Sequence, residues 1–123
     1  LGEGAQKFVD GYALRELLLA ANPRRIVIEQ VSARSGQGVS TMFRFGAAYG
    51  AVVAIATSIG CPVAFVTPVK WKRKMGLANS SKEASRALAI RTFPAARDRL
   101  KRKKDDGRAE GLLLADYGRQ YLH

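Results

Sequence analysis

Arg25-Ile26-Val27-Ile28-Glu29-Gln30-Val31 is the stretch on which the reading of this chain turns. Three consecutive β-branched residues run straight into a carboxylate, with no alternation of polar and apolar positions. Such a run predicts a strand buried on both faces, as in sheets covered by helices. Ligands on such sheets collect at the carboxyl ends of the strands. Glu29 stands there, followed by a loop rich in Ser, Gly and Gln. A lone strand-end Glu is ordinarily just solvated, so Glu29 gains meaning only if other carboxylates meet it. The candidates lie near the far end of the chain, in Lys104-Asp105-Asp106-Gly107-Arg108-Ala109-Glu110.

The flanking sequence predicts the rest of an α/β domain. Upstream, Asp10 reads as a helix N-cap. Ala13, Leu14, Leu17, Leu18 and Ala21 form an apolar stripe at helical spacing, ended by Asn22-Pro23. Downstream, Ser32–Gly38 reads as a loop. Ser40 or Thr41 caps a long helix reaching about Ser58, with Gly60 after its end. Pro62–Val66 is a second non-alternating strand. Two such strands joined by a helix make a βαβ unit, hence a parallel pair. Thr67-Pro68 opens a short helix over Val69–Met75. Ser80 or Ser81 caps another, about Lys82–Thr92, stopped by Pro94. The last helix runs from about Asp106 to Tyr121, with Leu112, Leu113 and Ala115 on its buried face. Residues 1–123 make one domain by size. Two strands alone make no stable sheet. With Leu at residue 1 and no pattern in Leu1–Lys7, the expectation is that further strands precede residue 1 or come from a partner.

Composition narrows the chemistry. The 123 residues carry a net charge of +11, which points to a polyanionic partner, nucleic acid before an anionic membrane. Cys61 is the single cysteine and His123 the single histidine. No disulfide framework, Cys-based zinc site or His-based triad can be built from them, so catalysis would rest on carboxylates. Gly46–Ile59 is interrupted by Tyr49, Gly50, Thr57 and Ser58 and reads as too short and too polar to span a bilayer. A cytoplasmic protein with no membrane partner is expected.

Asp106 and Glu110 are four apart and share one helix face, with Asp105 at the helix start. Their repulsion would turn into attraction around a hard divalent cation such as Mg²⁺ or Mn²⁺. Without one, some of these carboxylates are expected to hold protons more tightly. The plain alternative is an acidic N-cap region balanced by Arg108 and nearby lysines. Between the second strand and this helix the charges are one-sided, with only Glu83 and Asp98 opposing a run of Lys and Arg. Such a stripe fits phosphate contacts. The candidates for nucleic-acid contact are Arg44, Lys70, Trp71, Lys72, Arg73, Lys74, Arg102, Lys103, Lys104 and Arg108. Trp71 and Phe43 can each stack on bases or simply pack, and packing is the preferred reading for both.

The order of four segments resembles a known family. They are Val27-Ile28-Glu29-Gln30-Val31, Gly38-Val39-Ser40-Thr41-Met42-Phe43-Arg44-Phe45-Gly46, Val66-Thr67-Pro68-Val69-Lys70-Trp71-Lys72, and Lys103 through Ala115 with its Asp105-Asp106-Gly107-Arg108-Ala109-Glu110 core. This arrangement resembles the ribonuclease H-like nucleases, and more closely the RuvC family of Holliday junction resolvases in a bacteriophage- or prophage-type variant. The resemblance covers about residues 10 to 121. It implies a mixed sheet with helices on both faces, here without its first three strands, and a homodimer acting on branched or duplex DNA in a bacterial or phage-infected cell. It implies two-metal phosphodiester hydrolysis with two Mg²⁺ or Mn²⁺ ions per active site. Glu29 matches the family's fourth-strand glutamate and Glu110 its final-helix carboxylate. Asp106 or Asp105 matches the partner of Glu110, though the family's pair is usually three apart and Gly107 holds that place here. No counterpart of the family's first-strand Asp is present. A non-catalytic nucleic-acid-binding module and a ribonuclease H-like enzyme acting on RNA are the competing classes.

Overall fold

The computed structural model describes residues 9–32 and 35–123. Leu1–Lys7 lie outside the described residues, as do Ala33 and Arg34 of the Ser32–Gly38 loop. Among the described residues nine elements follow one another: α1 (Gly11–Ala21), β1 (Ile26–Glu29), α2 (Val39–Thr57), β2 (Val63–Val66), α3 (Pro68–Lys74), α4 (Lys82–Thr92), two 3-10 helices (Pro94–Arg99 and Lys103–Asp105) and α5 (Asp106–Tyr121). The helix starts follow local chemistry. The side chains of Asp10, Thr67 and Ser81 accept bonds from the backbone N–H of Ala13, Lys70 and Ala84, the ordinary N-cap interaction. The start of α2 departs from expectation. It follows Gly38, which offers no side-chain cap, rather than Ser40 or Thr41.

β1 and β2 pair with each other. Ile26 N–H donates to Pro62 O at 3.0 Å and Gln30 N–H donates to Val66 O at 2.8 Å. Equal steps along both strands make the pair parallel, as the βαβ pattern requires.

The described chain divides into two compact units. The first comprises the described residues of Leu1–Ile26 with Ser32–Ala64. In it α1 packs on α2, and Gly11 approaches Ile55 so closely that a Cβ would stand 3.1 Å from its Cδ1. Little else is covered. No residue of α1 is buried, and only Ala56 is buried in α2. Tyr12, Leu17, Leu19, Val39, Phe43 and Phe45 are all exposed. Of the α1 stripe, Leu14 and Leu18 are half-buried while Ala13, Leu17 and Ala21 are exposed, and Phe43, at 74% exposure, does not pack as expected. α2 has 19 residues and is long and apolar enough, by length and composition alone, to cross a membrane. The shorter Gly46–Ile59 stretch understated it because the helix begins at Val39.

The second unit comprises Val27–Val31 and Phe65–His123, and the core is here. Val66, Trp71, Leu77, Ala89, Leu100, Ala109, Leu113, Leu114 and Tyr117 form one buried cluster. α4 and α3 both pack on α5. Gly118 of α5 lies directly against β1: a Cβ there would come 2.6 Å from Val27 Cγ2. The buried face of α5 runs through Ala109, Leu113, Leu114, Tyr117 and Gly118. Leu112 is half-buried and Ala115 exposed, contrary to the expected face. The strands are less covered than their apolar runs predicted. Ile28 and Val66 are buried, whereas Phe65 is 44% exposed.

Candidate active site and nucleic-acid surface

All four candidate carboxylates belong to the second unit. Glu29 ends β1, half-buried. Its Oε2 accepts a 2.8 Å hydrogen bond from Trp71 Nε1. Trp71 is 0% exposed, so its place among the nucleic-acid contacts is withdrawn. Its ring is a core element with no face left for a base. The next residue, Lys72, turns to another carboxylate. Its Nζ lies 5.6 Å from the Trp71 ring centroid and 3.1 Å from Glu110 Oε2. Adjacent residues of α3 thus reach Glu29 on one side and Glu110 on the other.

Glu110 and Asp106, one turn apart on α5, are met by Lys82 and Arg86, one turn apart on α4. Lys82 Nζ lies 2.5 Å from Glu110 Oε1, and Arg86 pairs with Asp106 Oδ1. The two rungs run in opposite sequence order, which sets α4 and α5 antiparallel. Arg86 is a half-buried partner that composition alone did not single out. Its spacing from Lys82, matching that between Asp106 and Glu110, is the signal that would have found it.

Asp105 is engaged differently. It is 3% exposed. Its Oδ2 accepts from Arg102 backbone N–H at 3.0 Å and Nε at 3.1 Å, and its Oδ1 from Nη2 at 3.2 Å. Arg108 adds an ion pair at 3.7 Å. Asp105 thus anchors the turn entering α5, and of the two neighbouring aspartates Asp106 is the more accessible.

The electrostatics reverse one expectation. Some of the carboxylates are expected to hold protons more tightly in the absence of metal, and neither Asp105 nor Glu110 does. Instead the side-chain hydrogen bonds of Arg102 hold the Asp105 carboxyl below its usual value against the opposing effect of burial. For Glu110, burial pushes the pKa up, but Lys82 and Lys72 more than reverse it, and the group lies below its ordinary value. Protein cations supply the positive charge that the carboxylates share.

That arrangement bears on the expected metal pair. Carboxylate oxygens are suitable donors for Mg²⁺ or Mn²⁺. Yet no three of His, Cys, Asp and Glu gather as a ligand set among the described residues, and Glu29, Asp106 and Glu110 each face a protein donor. Glu110 Oε2 is buried without a hydrogen bond, but Lys72 stands beside it. As arranged, these residues do not fit two divalent ions. Lys72 and Lys82 would have to leave Glu110, and Arg86 would have to leave Asp106.

The basic candidates divide the same way. Lys70, Arg73, Lys103 and Lys104 are exposed and make no ion pair with the described residues. Lys74 is exposed, with its ammonium 4.9 Å from the Tyr121 ring centroid. Arg102 serves Asp105, and Arg108 donates to Arg99 O at 3.1 Å; both keep about half of their side chains exposed. Lys72 is chiefly a partner of Glu110 and not a free phosphate contact. Arg44, in the first unit, is exposed on α2.

No family model matches the chain. The chain is similar to a Holliday junction resolvase. The relative is the chloroplastic Holliday junction resolvase MOC1 of Chlamydomonas reinhardtii, 37% identical over 67 residues. The matched stretch is 54% of this chain and 8% of the relative's length. Over that stretch the relationship is resolvase-like.

Proposed function

We propose that the protein is an endonuclease of DNA junctions with a ribonuclease H-like fold, acting on four-way junctions and close in type to the phage and prophage RuvC resolvases. The observation that carries this reading is the 37% identical stretch shared with a chloroplastic Holliday junction resolvase. It is supported by the meeting of α3 with Glu29 and Glu110. The residues assigned to chemistry are Glu29, Asp106 and Glu110. Asp105 is assigned to structure, since Arg102 and burial occupy it. Lys70, Arg73, Lys103 and Lys104 are assigned to the phosphate backbone, where affinity depends on counterion release. A homodimer on branched or duplex DNA, in the cytoplasm, completes the proposal. Divalent-metal dependence enters it through the family resemblance alone, and cleavage that persists in excess EDTA would remove it.

The test uses the intact protein with Glu110→Gln on a four-way junction. Cleavage should fall by about a thousandfold or more, several kcal/mol of transition-state stabilisation. Junction binding in a gel-shift titration should not weaken, because loss of the Glu110 charge releases Lys72 and Lys82 toward phosphate. Full cleavage by this variant removes Glu110 from the active site.

One observation favours a second reading. Glu110 and Asp106 are paired with cations in a ladder that joins α4 to α5, which suits a stable, non-catalytic basic module as well. Binding with steep salt dependence but no cleavage of DNA or RNA by the wild-type protein selects that reading.

A further inference from the structure

We infer that Trp71 is a positioning residue for Glu29: its indole N–H fixes the Glu29 carboxylate at the end of β1. The inference rests on the proposed nuclease role of Glu29.

Rigidity decides which group orients the other. Trp71 is 0% exposed and one of the largest fully buried side chains, packed in the cluster that also holds Val66, Leu77 and Leu113. Its backbone is held in the first turn of α3, with Trp71 N–H donating to Thr67 O at 3.2 Å. A ring so enclosed has one orientation. Glu29 is a half-buried side chain with several rotatable bonds at a strand end. The fixed donor therefore selects the rotamer of the mobile acceptor, at 2.8 Å.

The chemistry of the pair agrees. Indole N–H can only donate, and an ionised carboxylate can only accept. Such a bond to a charged acceptor is stronger than a neutral one. It engages Oε2 at 2.8 Å and so restricts the conformations open to the carboxylate. Buried tryptophans usually find a partner for the N–H, and a backbone carbonyl would serve that need equally well. Here the partner is the carboxylate at the strand end where ligands collect on such sheets, and the residue after Trp71 reaches Glu110.

The experiment has a spectroscopic and a kinetic arm. Trp71 is the single tryptophan of residues 1–123, so these residues contribute one indole N–H resonance to the ¹H–¹⁵N spectrum of the protein. Glu29→Ala should move that resonance upfield and speed its exchange with water by about tenfold or more. Glu29→Gln, whose amide oxygen still accepts, should move it less. An indole resonance indifferent to Glu29→Ala overturns the inference, and this arm needs no folded tryptophan variant. In the kinetic arm, Trp71→Phe is compared with wild type on a four-way junction, at a temperature where circular dichroism shows both folded. Turnover should fall by about tenfold to a hundredfold, the usual penalty for a slightly misplaced group, with KM changed less than about twofold. A merely structural role would leave the turnover of the folded variant intact. Full turnover by Trp71→Phe beside an inactive Glu29→Gln overturns the positioning role alone. Full turnover by Glu29→Gln overturns the nuclease role of Glu29, and the positioning role with it.

Discussion

The two units of this chain use apolar residues in opposite ways. In the first, α1 and α2 are rich in apolar side chains, yet Ala56 is the single buried residue of the two helices. In the second, shorter apolar runs close around Trp71, Leu100 and Leu113, all fully buried. Helical periodicity is equally plain in both. Burial follows from what an element packs against, and the second unit packs α3, α4 and α5 around one cluster. Hydrophobic stabilisation goes with area removed from water, so the same residue types should weigh very differently in the two units.

Substitutions can break that contrast or sharpen it. The largest effect should come from Leu113→Ala. Truncating a buried leucine should cost about 2–5 kcal/mol, read as a shift in urea midpoint at unchanged slope. A loss under about 1 kcal/mol would mean that the second unit is not the cored one. Next in size is Gly118→Ala. Alanine favours a helix by about 1 kcal/mol over glycine, but the new methyl would press on Val27, only 2.6 Å away. A net loss of about 1–3 kcal/mol is expected, and a gain would show that α5 does not lie on β1.

Acid should affect the second unit through Asp105 and Glu110. In the folded protein both carboxyls lie below their ordinary values, which are 3.8 for Asp105 and 4.5 for Glu110. A depressed carboxyl contributes stability that is present above its ordinary value and lost as pH falls through its folded value. Melting temperature should therefore drop below about pH 4.5, and Asp105→Asn should flatten that drop. An Asp105→Asn profile parallel to wild type would show that Arg102 does not hold this carboxyl in solution. The smallest effects belong to the first unit. Gly46→Ala and Gly50→Ala meet nothing within 4 Å and should each stabilise by about 0.5–1 kcal/mol. Phe43→Ser should stay within about 0.5 kcal/mol. A clear loss at Phe43 would show that this face is covered in solution.

Local signals were legible. Asp10, Thr67 and Ser81 were readable as caps because each bonds a backbone N–H three residues away. The α2 start was misread because Gly38 leaves no side-chain mark. Ala115 was misplaced because Leu112, Leu113 and Ala115 do not lie on one helical face, and the face that α4 and α3 cover runs through Ala109, Leu113 and Tyr117. In the sequence Trp71 and Phe43 look alike, as aromatic residues that can stack on bases or pack. One became the centre of a core and the other a surface residue.

By itself the sequence determined the order of the main elements, the parallel pairing of β1 with β2, the basic balance and the scarcity of histidine and cysteine. Those properties depend on composition, on period and on contacts a few residues long. The tertiary structure alone decided the partners of Glu29, Asp106 and Glu110, whereas those of Asp105 lie three residues away. Glu29 and Trp71 are 42 residues apart and Lys82 and Glu110 are 28 apart. No periodicity links such positions. They meet because burial of the α3, α4 and α5 faces brings their polar edges together, and a carboxylate removed from water must find a charged or donating partner.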